Sequence, residues 1–382
     1  MSLVGLDLHL LGIPFVESFS HSASDRAFSD TVLVRVTDAE GRTGWGEGIA
    51  RAYVTGETPE GLVAHLAERL WPLVAGRPLP ELRGPEDLLA LEAWLPDLEE
   101  PGVVAAHGAR CALELAVLDL VLRRQGMPAS RLLPPARQTV TYSGVITAGD
   151  PARAAVHARQ MKLVGLREVK VKVGDPDDLA RVAAVRQIWG EGVALRLDAN
   201  AAWDLETAVA RLQAMACFGP VAVEQPLPRG RLADWQALRA RVPVPVMVDE
   251  SLVTVADAEA LIHARATDMF NVRVSKNGGL ARAWRIANLA LRAGLRVQVG
   301  AQVGETALLS AAGRHLAAAL PELAHAEGSF GTLLLTEDVS ASPVKFGHRG
   351  EAPLLRGHGL GVVVAEDRVG KYTRLHRHEA AP

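Results

Sequence analysis

Cysteine is nearly missing from this chain: only Cys111 and Cys217 occur in 382 residues. Each sits in an apolar, helix-like run, so a disulfide framework is not indicated and a reducing cytoplasm is the simplest setting. An excess of one charge sign is missing too. The formal net charge is −3, which gives a nucleic-acid-binding surface no footing. No uninterrupted apolar run is long enough to span a bilayer. The start, Met1-Ser2-Leu3, lacks the basic and long apolar regions of a signal peptide. No Gly-rich phosphate turn follows an early strand, which argues against a nucleotide-binding α/β sheet.

What is present is a large store of core residues. Hydrophobic residues make up 49% of the chain, enough for two domains or one barrel plus a smaller unit. Residues 3–12 alternate weakly and read as a strand. Residues 14–30 are Ser-rich, contain His21 and Arg26, and have loop composition. Thr31 to Val36 and the stretch from Gly44-Trp45-Gly46-Glu47-Gly48 read as a hairpin around a turn at 38–41. A second polar loop, 51–58, leads into a helix over 59–72. Further helices follow near 85–94 and 104–125, the latter apolar almost all round and stopped by Arg123, Arg124 and Gly126. Residues 1–130 therefore read as an α+β unit.

From residue 139 the rhythm becomes strand, helix, strand. Strands are expected at 140–146, 168–173, 194–199, 221–225, 245–250, 269–275, 296–301 and 323–327, with helical stretches in most gaps. Eight strands with about seven crossovers fit a closed parallel barrel over 131–339. The Gly- and Pro-rich segment 340–382 is expected to return to the first unit.

Val169-Lys170-Val171-Lys172-Val173 alternates strictly, with valine on one face and lysine on the other. On an edge strand the lysines would simply face water. On a barrel strand buried on both faces they are costly unless anions or a reaction use them. The next strands supply the anions. They end in Asp198, Glu224 and Asp249, spaced 26 and 25 residues apart. In each strand the aliphatic set can face the helices while the acid faces inward. One strand-end acid is ordinarily a cap or an ion-pair partner. Three on successive strands form a set of hard oxygen ligands that suits Mg²⁺. Zn²⁺ is disfavoured because no His pair stands among them.

These residues resemble the muconate lactonizing enzyme subgroup of the enolase superfamily. The resemblance rests on Gly44-Trp45-Gly46-Glu47, Lys170-x-Lys172, Asp198-x-Asn200, Glu224-Gln225-Pro226, Asp249-Glu250-Ser251, Lys276-x-Gly278-Gly279 and Glu305-Thr306. It implies a modified (β/α)8, TIM-like barrel beneath an α+β N-terminal capping domain. It also implies Mg²⁺ on Asp198, Glu224 and Asp249, and removal of a proton α to a substrate carboxylate. A small carboxylate substrate and a homo-oligomer are expected with it. Lys172, nearer the strand end, is the expected base. Lys170, about 7 Å away, is expected to lower the base's pKa by about 2.4 kcal/mol of repulsion at an effective dielectric near 20, and to help hold the substrate.

One position departs from that pattern. Strand six of the family normally supplies a second catalytic lysine three residues before the Lys-x-Gly-Gly motif, and here that residue is Arg273. Arginine stays protonated and is a poor base. Lys172 acting alone, with Arg273 as an electrostatic clamp, favours a cycloisomerase or dehydratase over a two-base racemase or epimerase of an amino-acid derivative. Lys276 reaching the second face, Arg273 merely pairing with Asp249 or Glu224, and a catalytically silent carboxylate-binding barrel are the alternatives. Loop residues His21, Arg26, Arg51 and Tyr53 are nominated as substrate contacts, with Asn200 and Glu305. The Asp-x-Asp pair of a dipeptide epimerase is missing from Ala324 to Gly331.

Overall fold

The alternating apolar stretches become strands, and their order positions the site. The structure is a computed structural model that describes residues 2–21, 24–98, 103–104, 106–147 and 149–381. The early strands are β1 (Leu3–Leu11), β2 (Ile13–His21), β3 (Ser24–Ser29), β4 (Val32–Asp38) and β5 (Thr43–Gly48). A short β6 (Thr139–Thr141) precedes β7 (Gly144–Ile146), β8 (Glu168–Lys172), β9 (Ala194–Asp198), β10 (Ala222–Glu224) and β11 (Val246–Val248). Next come β12 (Met269–Val272), β13 (Arg296–Val299), β14 (His325–Ala326), β15 (Glu351–Pro353) and β16 (Thr373–Ala380).

Strands β7 to β14 form one parallel sheet in sequence order, with seven helices between them, from Pro151–Leu163 to Ala307–Ala319. The sheet closes on itself where Ser143 N–H donates to Ala326 O at 3.0 Å. This is the modified (β/α)8 barrel. Its aliphatic face, including Val169, Val171, Leu195, Leu197 and Val223, is fully buried against the helices. Its first strand is split, where one strand over 140–146 was expected. Tyr142 N–H turns to Gly350 O, so β6 pairs antiparallel with β15 instead of joining the barrel.

The N-terminal unit is an antiparallel sheet in the order β16-β1-β4-β5. Its last member comes from the far end of the chain: β16 pairs with β1 along Gly5 to Leu11. The long helix His107–Arg124 lies on β5. A Cβ at Gly46 would sit 2.0 Å from Ala112 O, so only glycine allows this approach. Between these glycines, Glu47 reaches the barrel. It accepts from Thr306 N and Leu309 N, at 2.8 and 2.9 Å, and from the hydroxyls of Thr31 and Thr306. It thereby satisfies free N–H groups at the start of the helix Ala307–Ala319.

Residues 14–30 do not form the expected loop. They build the antiparallel hairpin β2–β3, with irregular register between Pro14 and Phe19. Pairing satisfies the backbone of a polar stretch as well as water would, and the irregularity accommodates the proline. The helix expected over 59–72 is present but contains a π-helical stretch, His65–Leu70. Among the described residues no helix is long and apolar enough to cross a membrane.

Candidate active site

Every strand-end acid expected to face inward does so. Asp198, Glu224 and Asp249 are almost completely buried. The strand-following motifs explain how neighbouring acids are aligned. Gln225 takes a positive φ of 40°, and its Oε1 accepts from Asp249 N and Ser251 N at 2.9 and 3.2 Å. It thus pins the end of β11 beside that of β10. Asn200 also has a positive φ, 43°, a conformation asparagine tolerates. Its Nδ2 donates to Glu250 at 3.0 Å and its Oδ1 accepts from Lys172.

The cations meet these acids in a definite pattern. Lys172 Nζ lies 2.6 Å from Asp198. Lys170 Nζ lies 3.0, 3.1 and 2.7 Å from Asp198, Glu224 and Glu327. Arg273 Nη2 bonds Asp249 and, at 3.1 Å, Glu224. Lys276 Nζ donates to Asp249 Oδ1, Asp249 O and Asn271 O at 2.8, 2.8 and 2.7 Å.

Burial opposes charge on Lys170, yet Asp198, Glu224 and Glu327 together raise its pKa well above the ordinary range. Three acids from separate strands thus converge on Lys170 and favour its charged form. Burial likewise opposes charge on Asp198, but the two lysines bring its pKa below the ordinary value. Asp249 is lowered by Arg273 and Lys276 in the same way. Glu224 is raised, by burial first and then by Asp198. Glu250 is pushed up to about 7 by burial, Asp249 and Asp198.

A cavity of about 510 Å³ opens over this cluster. Lys170, Lys172, Asn200, Arg273 and Tyr53 line it, with Arg51, Gln302 and Glu327. Arg51 is held by Asp30, at 3.0 Å, and by Val303 O, which fastens the 51–58 segment to the loop after β13. Two candidates lie elsewhere. Glu305 is absent from the lining; its Oε1 accepts from Gln302 N at 2.7 Å, and burial pushes its pKa up to about 8. Lys276 is fully buried behind Asp249 and is absent from the cavity lining. His21 and Arg26 fall on β2 and β3, and their side chains lie outside the described residues.

Glu327, just past β14, was missed by the search for an Asp-x-Asp pair. It joins Lys170 to Arg196, 2.9 Å away. The alternation Ala324-His325-Ala326-Glu327 carried the same inward-acid signal as the other strands. Arg196 itself is fully buried and also bonds Gln298 and Ser143.

The three strand-end acids share one cationic neighbourhood, since Lys170 bridges the first two and Arg273 the last two. Among the described residues no acid cluster rings an open metal position: the ammonium and guanidinium stand between the carboxylates. The donor set, three buried carboxylates on adjacent strands, fits a hard divalent cation in chemistry, with Lys170 and Arg273 competing for the same oxygens.

Comparison with known proteins agrees with this geometry. The family model for the mandelate racemase/muconate lactonizing enzyme N-terminal domain matches residues 14–134. The enolase C-terminal domain-like model matches residues 153–368. Muconate cycloisomerase 1 of Rhodococcus opacus is 31% identical over 98% of this chain and 99% of its own. The L-Ala-D/L-Glu epimerase of Bacillus subtilis is 28% identical over 83% and 85%. A dipeptide epimerase from Cytophaga hutchinsonii, solved with Mg and D-Ala-L-Val, superposes with a TM-score of 0.87 at 25% identity, over 99% and 100% of the two chains. The chain belongs to the mandelate racemase/muconate lactonizing enzyme family of the enolase superfamily, as an isomerase or lyase of the muconate lactonizing enzyme type.

Proposed function

We propose that the protein removes the proton α to the carboxylate of a small acid, using Lys172 as its only base, in a cycloisomerisation or a dehydration. The observation that carries this reading is the asymmetry of the cavity. Lys172 lines it from β8, and four strands away the residue after β12 that lines it is Arg273. In a closed eight-stranded barrel four strands is half the circumference. A guanidinium there can hold a carboxylate but does not take up a proton. Among the described residues its buried Nε has no hydrogen-bond partner.

Asp198, Glu224 and Asp249 are the proposed ligands of Mg²⁺, a reading supported by their convergence and by the Mg in the Cytophaga structure. When bound, the ion supplies positive charge where the substrate carboxylate gains negative charge. Lys172, held by Asp198 and Asn200, is fixed in position to accept the proton once it is neutral. Lys170, anchored by three acids, keeps its charge and orients the substrate carboxylate. Tyr53 and Arg51 cover the cavity from the N-terminal unit.

A racemase or epimerase is the second reading, supported by the epimerase relatives. It requires a base on the Arg273 side. The discriminating experiment is a screen of carboxylates in D₂O with Mg²⁺, run beside Lys172→Ala. Exchange that depends on Lys172 and enters one enantiomer supports the one-base reading. Exchange that survives the substitution assigns the base elsewhere, and no exchange with any acid points to a silent binding barrel.

A further inference from the structure

The cavity continues well beyond its cationic end. Its volume of about 510 Å³ suits a ligand of drug size rather than a compact diacid. The extension follows β7. Barrel closure at this seam is slight: Ser143 donates through N–H and Oγ to Ala326 O, at 3.0 and 3.2 Å, and β7 and β14 form no strand ladder. With β14 ending at Ala326, the cavity runs past Val145 and out between the helix Pro151–Leu163 and the chain that follows β14. Met161, Leu166, Phe330, Leu334 and Phe346 line this stretch.

Two details make it a trough for apolar chain. At Gly144 a Cβ would lie 2.5 Å from Met161 Sδ and 2.9 Å from Leu166 Cδ1. Glycine therefore lets the methionine lie against the strand, where its flexible thioether can adapt to a ligand. At the outer rim Leu333 and Val164 are 52% and 44% exposed, so apolar surface continues to the mouth. One end of the cavity is cationic and the stretch beyond it is mostly apolar, with Glu17, Arg153, His157 and Gln160 also in the lining, which matches an amphipathic acid.

We propose that this trough is a substrate subsite for an extended apolar substituent. The carboxylate end would lie at Lys170, Lys172 and Arg273, and a chain of several carbons would lie along Val145, Met161, Phe330 and Leu334. The inference rests on the reading that the cationic cluster receives the substrate carboxylate, and it names the class of acid: one bearing a long alkyl, acyl or aryl group.

The test uses the full-length protein with Mg²⁺ and a series of straight-chain acids, acetate through decanoate, below their micellar concentrations, by titration calorimetry. The expected result is a Kd that falls about fourfold per added methylene from butanoate to octanoate. Leu334→Asp should collapse the octanoate-to-acetate affinity ratio at least tenfold. Val164→Asp, at a more exposed position, gives the same readout if the first variant fails to fold. Binding without length dependence overturns the subsite but leaves the carboxylate reading intact. Length dependence undiminished in both variants places the chain elsewhere and also overturns it. If no acid binds, the carboxylate reading fails and the subsite with it; Lys172-dependent exchange in D₂O measures that reading separately.

Discussion

The β8 side and the β12 side of the barrel mouth hold two cations each, and the same acids lie between them. On the β8 side both lysines line the cavity, and among the described residues Lys172 is bound by only Asp198 and Asn200. On the β12 side the lysine is tied to two backbone carbonyls and a carboxylate, and the residue that reaches the cavity is an arginine. Counting cations would make the two sides equivalent. Their engagement and chemistry are the basis for proposing one side as the proton acceptor and the other as a clamp.

That asymmetry can be broken or sharpened in order of expected effect. Removing divalent cations with EDTA should abolish α-proton exchange, and Mg²⁺ should restore it; full exchange in EDTA would remove the ion from the account. Lys172→Ala should lower the exchange rate followed by NMR about a thousandfold or more, while Arg273→Ala should mainly raise KM. Arg273→Lys should cost about tenfold in the forward reaction, through loss of the guanidinium fork, and bring in exchange of the opposite enantiomer. A variant that slows without new exchange would show that position 273 cannot present a base at all.

Two smaller effects test how the N-terminal unit supports each side. Glu47 accepts from four donors, so Glu47→Gln would turn an amide NH₂ toward some of them and should destabilise the fold by about 2 kcal/mol in urea unfolding. Burial pushes the Glu47 pKa up to about 7, so its contribution to stability declines as pH rises from about 4.5 to 7. His107 has the opposite sign. Its Nδ1 contacts Lys276 O at 2.8 Å, behind the β12 side, and burial lowers its pKa to about 4. Between pH 6.5 and 4 the unfolded chain binds a proton that the folded one refuses, so stability falls on acidification. His107→Gln should lessen that loss by about 1 kcal/mol between pH 7 and 5.5; an unchanged pH profile would show that His107 does not carry it.

Much of the fold and the acids of the site could be read from the sequence because a barrel repeats one signal. Aliphatic alternation and a terminal acid recur on β9, β10 and β11, and each repeat raises the weight of the others. The hairpin β2–β3 gave no such signal, because its Ser-rich stretch lacks sustained apolar alternation. β16 is similarly hidden: TRLHRHEA is polar along most of its length, as befits the edge of a sheet. The ion pairs of Lys170 were hidden for a different reason. Its nearest sequence neighbour is a lysine, while the acids that govern it arrive from β9, β10 and the end of β14. Lys276 shows the same limit, since only the folded turn reveals that its ammonium points behind Asp249 rather than into the cavity.

The central claim is that proton transfer occurs from one face. Its most direct test follows deuterium uptake at the α-carbon of each enantiomer of a chiral carboxylate that the wild-type protein turns over slowly. The account predicts uptake in one enantiomer only, lost in Lys172→Ala. Comparable uptake in both enantiomers by the wild-type protein would contradict it.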